Sequence, residues 1–211
     1  MAMTVNARAV FNMMIPLRRR SCAFTDVPSD RRSPGETGQT VQLPMISLTR
    51  MPLIELGRTA PAFNLKDQRG HAHRLADYAG RPVVLFFYPK DDTPGCTKEA
   101  CAFRDALRKF AAHKAVVLGI SGQNEASKAK FAAKYDLTFP LLADEGYEVA
   151  EKYGVWQKKL LYGRTFMGIS RTTFLIGPDG KVVKRWDKVK VDGHAEEVLK
   201  ALELRTSKSE V

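Results

Sequence analysis

Cysteine is scarce in this chain: among 211 residues it occurs only at Cys22, Cys96 and Cys101. Three thiols cannot build the disulfide framework of a small secreted domain, and an odd count leaves at least one unpaired or reserved for chemistry, as in a reducing compartment. No stretch approaches the ~18 consecutive apolar residues of a membrane helix, so no membrane partner is expected. A zinc site would need a second cysteine pair or a histidine pair. His71, His73, His113 and His194 are scattered, so neither a metal nor another cofactor is expected, and the alternation His71-Ala72-His73 reads as a solvated hairpin face.

Lysine is absent from the first 50 residues and acid from the first 25. Residues 1–50 hold seven basic residues, all arginine, against three acidic ones, whereas the remainder holds 27 against 20. With no sustained hydrophobic period and a polar stretch from Pro28 to Thr40, residues 1–48 read as a disordered extension. It is either an organelle transit peptide or the product of a start codon assigned too early, with Met45 or Met51 opening the functional protein. A secretory signal fits badly, because the strongest positive cluster, Arg18 to Arg20, follows the apolar stretch. The expected localisation is cytoplasmic, or an organelle if the extension is a transit peptide. Cys22 lies in this segment and receives no role. The net charge of +11 raises nucleic acid as a partner. The later lysines are interleaved with acids and no binding motif of known geometry is present, so no nucleic-acid partner is expected beyond weak nonspecific attachment.

Regular patterning begins near residue 49 and runs to 206, leaving 207–211 as a flexible tail. Ala62–Leu65 and His73–Leu75 flank Asp67-Gln68-Arg69-Gly70 as a hairpin. Three apolar runs of strand length, Val83–Tyr88, Ala115–Ile120 and Thr172–Ile176, are separated by helical segments at Thr97–His113, Glu125–Tyr135 and Gly146–Tyr153. Strands alternating with helices predict right-handed βαβ units. Gly177-Pro178-Asp179-Gly180 turns the last apolar run into Lys181–Trp186, and Ala195–Leu204 closes the chain as an amphipathic helix. The whole predicts an α/β thioredoxin-like fold, a central mixed β-sheet flanked by helices.

The chemistry-bearing segment is Tyr88-Pro-Lys-Asp-Asp-Thr-Pro-Gly-Cys-Thr-Lys-Glu-Ala-Cys101. It leaves the C-terminal end of a strand and enters a helix, where open α/β sheets place their sites. Thr93 suits the helix cap and Pro94 the first turn, so Cys96 falls within that turn. At ~100° per residue, Cys96, Ala100, Phe103, Leu107, Phe110 and Ala111 share one apolar face, while Cys101 lies roughly 140° away, toward solvent beside Asp105 and Arg108. A free cysteine is often just a small buried hydrophobe. The unpaired N–H groups and positive dipole end of a helix N-terminus nevertheless favour a thiolate at Cys96. Residues five apart in an intact helix have Cα atoms roughly 8–9 Å apart, beyond the ~7 Å a disulfide tolerates. A Cys96–Cys101 bond would require the first turn to unwind.

The motif Pro89-x3-Thr93-x2-Cys96 resembles the active-site signature of the peroxiredoxins, and YPKDDTPGCTKEAC is similar to their bacterioferritin-comigratory (PrxQ) branch. GRTAPAFNL from Gly57, FPLLAD from Phe139 and YGRTFMGISRTTFLI from Tyr162 agree, so the resemblance spans about residues 52–204. The chain lacks the long C-terminal extension carrying a resolving cysteine in typical two-cysteine members, and it has no Cys-x-x-Cys of an ordinary thioredoxin. The resemblance implies Cys96 as peroxidatic cysteine, Cys101 as resolving cysteine, Thr93 and Arg171 as groups orienting thiolate and peroxide, and Pro89 as a shield of the pocket. It implies hydrogen peroxide and organic hydroperoxides as substrates, thioredoxin or a similar dithiol as reductant, and a monomer, with a dimer as the alternative.

A free thiol of pKa about 8.5 is only ~3% ionised at pH 7, so ionisation alone raises the rate at most about 30-fold. The remaining acceleration must come from donors aimed at the leaving oxygen, which Arg171, Thr93 and the N–H groups of Gly95 and Cys96 can provide. Arg171 is expected beneath the Cys96 loop through a neighbouring parallel strand; otherwise it is a surface ion pair. The rival activities are a thiol-disulfide oxidoreductase and a peroxide sensor, both using the same cysteines.

Overall fold

The computed structural model describes residues 52–161 and 163–206. The expectations for residues 1–48, for Cys22 and for the tail from 207 lie outside the described residues. Strands β1 (Asn64–Lys66) and β2 (Ala72–Arg74) form the first hairpin, shifted by one or two residues from the predicted positions. The buried Asp67 carboxylate closes its turn by accepting the N–H groups of Arg69 (2.8 Å) and His71 (2.9 Å). His71 is exposed as expected, but His73 is not solvated: its ring bridges Asp67 Oδ2 (3.2 Å) and the Tyr78 hydroxyl.

Strand β3 (Val83–Phe87) follows, then helix α1 (Pro94–Ala112), strand β4 (Val116–Ser121), helix α2 (Glu125–Tyr135) and strand β5 (Leu141–Ala143). The strands β3, β4 and β5 are parallel neighbours joined by helical crossovers. Helix α3 (Glu148–Lys152) leads to a two-stranded ribbon, β6 (Trp156–Leu161) and β7 (Arg164–Ile169), which stands apart from the main sheet. Strands β8 (Thr172–Ile176) and β9 (Val182–Asp187) form the predicted antiparallel hairpin, and α4 (His194–Thr206) closes the domain. The seven-stranded mixed sheet has the order β2-β1-β5-β4-β3-β8-β9. This is the thioredoxin-like arrangement.

Every residue of β3 is buried, which is why its sequence is a continuous Val-Val-Leu-Phe-Phe run instead of an alternation. Successive side chains face opposite sides of the sheet. Val84, Phe86 and Tyr88 join a cluster with residues of α1, α2 and α4. Val83, Leu85 and Phe87 join a second with α3, Tyr153 and Ile169. Gly119 in β4 makes room for this packing, since a Cβ there would stand 2.7 Å from the Phe86 ring.

Three elements depart from the expected pattern. Strand β5 is only three residues long and sits between Pro140 and Asp144, too short for a period to register. The β6–β7 ribbon is largely exposed on β7, so no apolar alternation marks it. On α1, Leu107 is half-buried and Ala111 exposed, while Glu99 and Ala106 are buried instead. The buried face is rotated because α1 packs against α4 as well as the sheet.

His194, at the start of α4, is buried and shares a 2.8 Å hydrogen bond with Thr173 Oγ1. Burial pushes its pKa down from 6.5 to about 4. The unfolded chain therefore binds a proton between those values that the folded chain does not, and this group's stability contribution is lost as pH falls from 6.5 through 4. The lost term is about 3 kcal/mol. His194→Gln is expected to flatten the urea midpoint between pH 6.5 and 4; an unchanged pH slope would assign the acid sensitivity to another group.

Candidate active site

The site forms where β3 ends. Tyr88 is buried directly after the strand, Pro89 half-buried, and the loop through Lys90, Asp91 and Asp92 delivers Thr93 to the cap of α1 in an extended conformation (φ −100°, ψ 148°). Pro94 occupies the first helical turn, where its missing N–H costs nothing. The Thr93 hydroxyl does not cap the helix as its residue type predicts; it donates to the Lys90 carbonyl (3.1 Å) and tightens the loop. Gly95 and Cys96 therefore keep helix-end N–H groups beyond the reach of intrahelical acceptors.

Cys96 is 2% exposed and faces the core, as its position on the helix predicts. Cys101 is only half-buried, but it packs against the same apolar cluster and does not stand free in solvent as the polar-side placement implied. Both thiols are free and α1 is unbroken between them.

Arg171 reaches Cys96 from the other side. It immediately precedes β8, which pairs with β3 antiparallel and not in the parallel sense expected; the register Phe87↔Thr172 puts Arg171 just beyond the C-terminal end of β3. From there its Nη2 donates to Cys96 Sγ at 3.2 Å, and its Nη1 forms an ion pair with Glu99 Oε2. Arg171 does form an ion pair, but with a buried partner and not at the surface, while its other arm points at the sulfur. Gly95 permits the approach: a Cβ there would lie 3.3 Å from Nη2. Burial opposes the guanidinium charge, but Glu99 and Cys96 outweigh it and raise the group above its ordinary value.

Glu99 is a site residue that sequence patterning did not single out. It lies one turn beyond Cys96 on the same side of α1 and is 1% exposed. Burial raises its carboxyl to about 7 against the opposing pull of Arg171. Its second oxygen, Oε1, is buried without a hydrogen-bond partner among the described residues. A charge on an otherwise apolar helical stripe was the available signal. Lys159 of β6 is a further cation within electrostatic reach: burial and Arg171 lower its pKa, and Cys96 opposes them.

The arrangement is a buried thiol at a helix start, held against a forked guanidinium whose other arm is fixed by a buried carboxylate. It can hold a thiolate and present N–H donors to an oxygen leaving from an atom in contact with it. The AhpC/TSA family matches residues 56–185, which include all of these groups. The chain belongs to the AhpC/TSA family, in its Bcp/PrxQ peroxiredoxin branch. Peroxiredoxin Bcp of Bacillus subtilis is 46% identical over 149 residues, covering 71% of this chain and 95% of that protein. Peroxiredoxin Bcp of Escherichia coli is 42% identical over 146 residues, covering 69% and 94%. Among solved structures, the bacterioferritin comigratory protein of Xanthomonas campestris, described for its alkyl peroxide reduction activity, superposes with a TM-score of 0.66 at 40% identity over 68% of this chain and 91% of its own. As a peroxiredoxin, the chain is of the thiol peroxidase class. Of the strings that carry the resemblance, the stretch Arg164–Ile176 forms β7, Ser170-Arg171 and β8, and so includes the strand junction that delivers Arg171. No helix among the described residues is long and apolar enough to cross a membrane.

Proposed function

We propose that this peroxiredoxin reduces hydrogen peroxide and organic hydroperoxides to water and alcohols, with Cys96 as nucleophile, Cys101 as resolving thiol and thioredoxin or a similar dithiol protein as reductant. The catalytic domain is taken as residues 49–206. The observation carrying the reading is the 3.2 Å contact between Arg171 Nη2 and Cys96 Sγ at the first turn of α1. The Xanthomonas relative named for alkyl peroxide reduction supports organic hydroperoxides as a substrate class.

In the first step the Cys96 thiolate attacks the distal peroxide oxygen. The S–O bond forms as O–O breaks, and the departing alkoxide or hydroxide takes a proton to leave as alcohol or water. Arg171 and the Gly95 and Cys96 N–H groups stabilise the charge growing on the leaving oxygen. The first turn of α1 then opens, as terminal turns do at low free-energy cost. The Cys101 thiol condenses with the sulfenic acid, expelling water and forming the intrachain disulfide. Two electrons from the dithiol partner restore both thiols. Thr93 and Pro89 shape the loop around the sulfur, and the protein works as a monomer.

Cys101→Ser tests the resolving step and the reductant together. The wild type should sustain NADPH-coupled turnover through thioredoxin and thioredoxin reductase, and one equivalent of peroxide should lower its intact mass by two hydrogens. Cys101→Ser should consume about one equivalent of peroxide and stop, gaining one oxygen. Undiminished thioredoxin-supported turnover by this variant would replace the two-cysteine scheme with a one-cysteine mechanism.

A further inference from the structure

Helix α2 holds the Cys96 loop at two successive aspartates. On the outer side Asp92, with a left-handed φ of 53°, accepts Lys134 Nζ (2.8 and 3.0 Å) and Tyr135 Oη (2.6 Å). On the inner side lies a buried polar network that the reaction scheme above leaves unused. Lys128, with none of its side chain exposed, donates to Asp91 Oδ1 (2.9 Å), to Tyr88 Oη (3.0 Å) and to the Ser121 hydroxyl. The Tyr88 hydroxyl and the Ser127 hydroxyl each donate to Asp91, both at 2.7 Å. Gln123 Oε1 accepts the Asp91 backbone N–H (3.1 Å) and the Ser121 hydroxyl (2.8 Å).

The three donors of the ammonium thus meet three acceptors, and the carboxylate is bonded on both oxygens. The network ties together the end of β3, the loop carrying Thr93, the end of β4 and the first half of α2. A buried ion pair is a poor way to gain stability, because its desolvation offsets its attraction; what a fully satisfied one can fix is a single geometry. That geometry is the course of the chain from Tyr88 to Thr93, which sets where α1 begins and hence where Cys96 meets Arg171.

We propose that Lys128 is a positioning residue for peroxide reduction: through Asp91 it locks the Tyr88–Thr93 loop, and its buried charge keeps the first turn of α1 in the arrangement that reacts with peroxide. This inference rests on the peroxidase reading above. The groups facing Lys128 are Tyr88 at the end of β3, Asp91 on the loop, Cys96 on α1 and Asp144 after β5. Burial pushes the Lys128 ammonium down to about 8 against the pull of Asp91, Cys96 and Asp144. Burial and the Asp91 charge keep Tyr88 protonated well above its usual range. The lock therefore loses its charge on the alkaline side. Stability does not follow it down: the unfolded chain keeps this proton to about 10.5, so from 8 upward the group favours the folded state as pH rises.

The experiment measures the second-order rate constant of the full-length protein with hydrogen peroxide from pH 6 to 10, alongside its thermal midpoint. For the wild type the rate is expected to fall above pH about 8 without a parallel fall in the midpoint. Lys128→Met should lower the neutral rate on the order of 10- to 100-fold and remove the alkaline limb, and Lys128→Arg should recover part of the rate. A wild-type profile without an alkaline limb, or a limb that persists in Lys128→Met, overturns the inference. So does a rate loss that tracks the thermal midpoint. If Lys128→Met does not fold, the Lys128→Met/Asp91→Asn pair, which removes both charges, supplies the same readout. A wild type that consumes no peroxide at any pH refutes the peroxidase reading itself, a result distinct from all of these.

Discussion

Cys96→Ser is expected to bring peroxide consumption down to the level of buffer alone. A serine hydroxyl is not ionised near neutrality and cannot supply the soft anion that attacks an O–O bond, and among the described residues no other thiol takes its place: Cys101 lies five residues along an unbroken helix, while the Arg171 fork meets Cys96. The fold should survive. A buried cysteine packs as a small hydrophobe, and the hydroxyl that replaces it would find Arg171 Nη2 where the sulfur found it at 3.2 Å. The measurement is peroxide depletion under saturating thioredoxin together with far-UV circular dichroism. Turnover surviving in a folded Cys96→Ser protein would remove this cysteine from the chemistry.

The second large effect is expected at Arg171. Deleting one donor aimed at developing oxyanion charge typically costs a factor of about 100–1000, and Arg171→Met removes both the donor and the charge that faces the sulfur. It also leaves Glu99, 1% exposed, without its counter-charge. Stranding one member of a buried pair costs about 3–5 kcal/mol, enough to confuse lost catalysis with lost structure. Arg171→Met/Glu99→Gln separates the two, because it removes both charges. The double variant should recover much of the thermal midpoint while kcat/KM for peroxide stays about 100-fold or more below the wild type. Recovery of activity along with stability would show that Arg171 acts only by balancing Glu99. Arg171→Lys should remain impaired, since an ammonium cannot serve the sulfur and the carboxylate through two arms of one planar fork.

The legible part of this protein was the part written in local pattern. The apolar runs at β3, β4 and β8 and the 3.6-residue stripes of α1, α2 and α4 report their own structure, because each is long enough for its period to count. Likewise Thr93-Pro94 announces a helix start, so the position of Cys96 within the first turn follows from the residues themselves. Strand β5 and the β6–β7 ribbon escaped because one is three residues long and the other is mostly exposed. Glu99 and Lys128 escaped for a different reason. Each interrupts an apolar stripe, and in sequence such an interruption looks like the polar edge of a helix; only the partners Arg171 and Asp91, brought from elsewhere in the chain, make burial of the charge tolerable.

By itself, then, the sequence determined where the two cysteines of the domain stand and on what local scaffold: five apart at the start of a helix, behind a strand, in a chain otherwise poor in thiols. Tertiary structure alone decided which charged groups meet at this helix start. The contact from Arg171 to Cys96 joins residues 75 apart, and that from Lys128 to Asp91 residues 37 apart. Both depend on the pairing of β8 with β3 or the docking of α2 against the loop. Periodicity describes which face of an element is apolar, but register between distant strands sets which charged groups share a buried site, and it is that shared low-dielectric site that raises Glu99 and lowers Lys128 from their ordinary values.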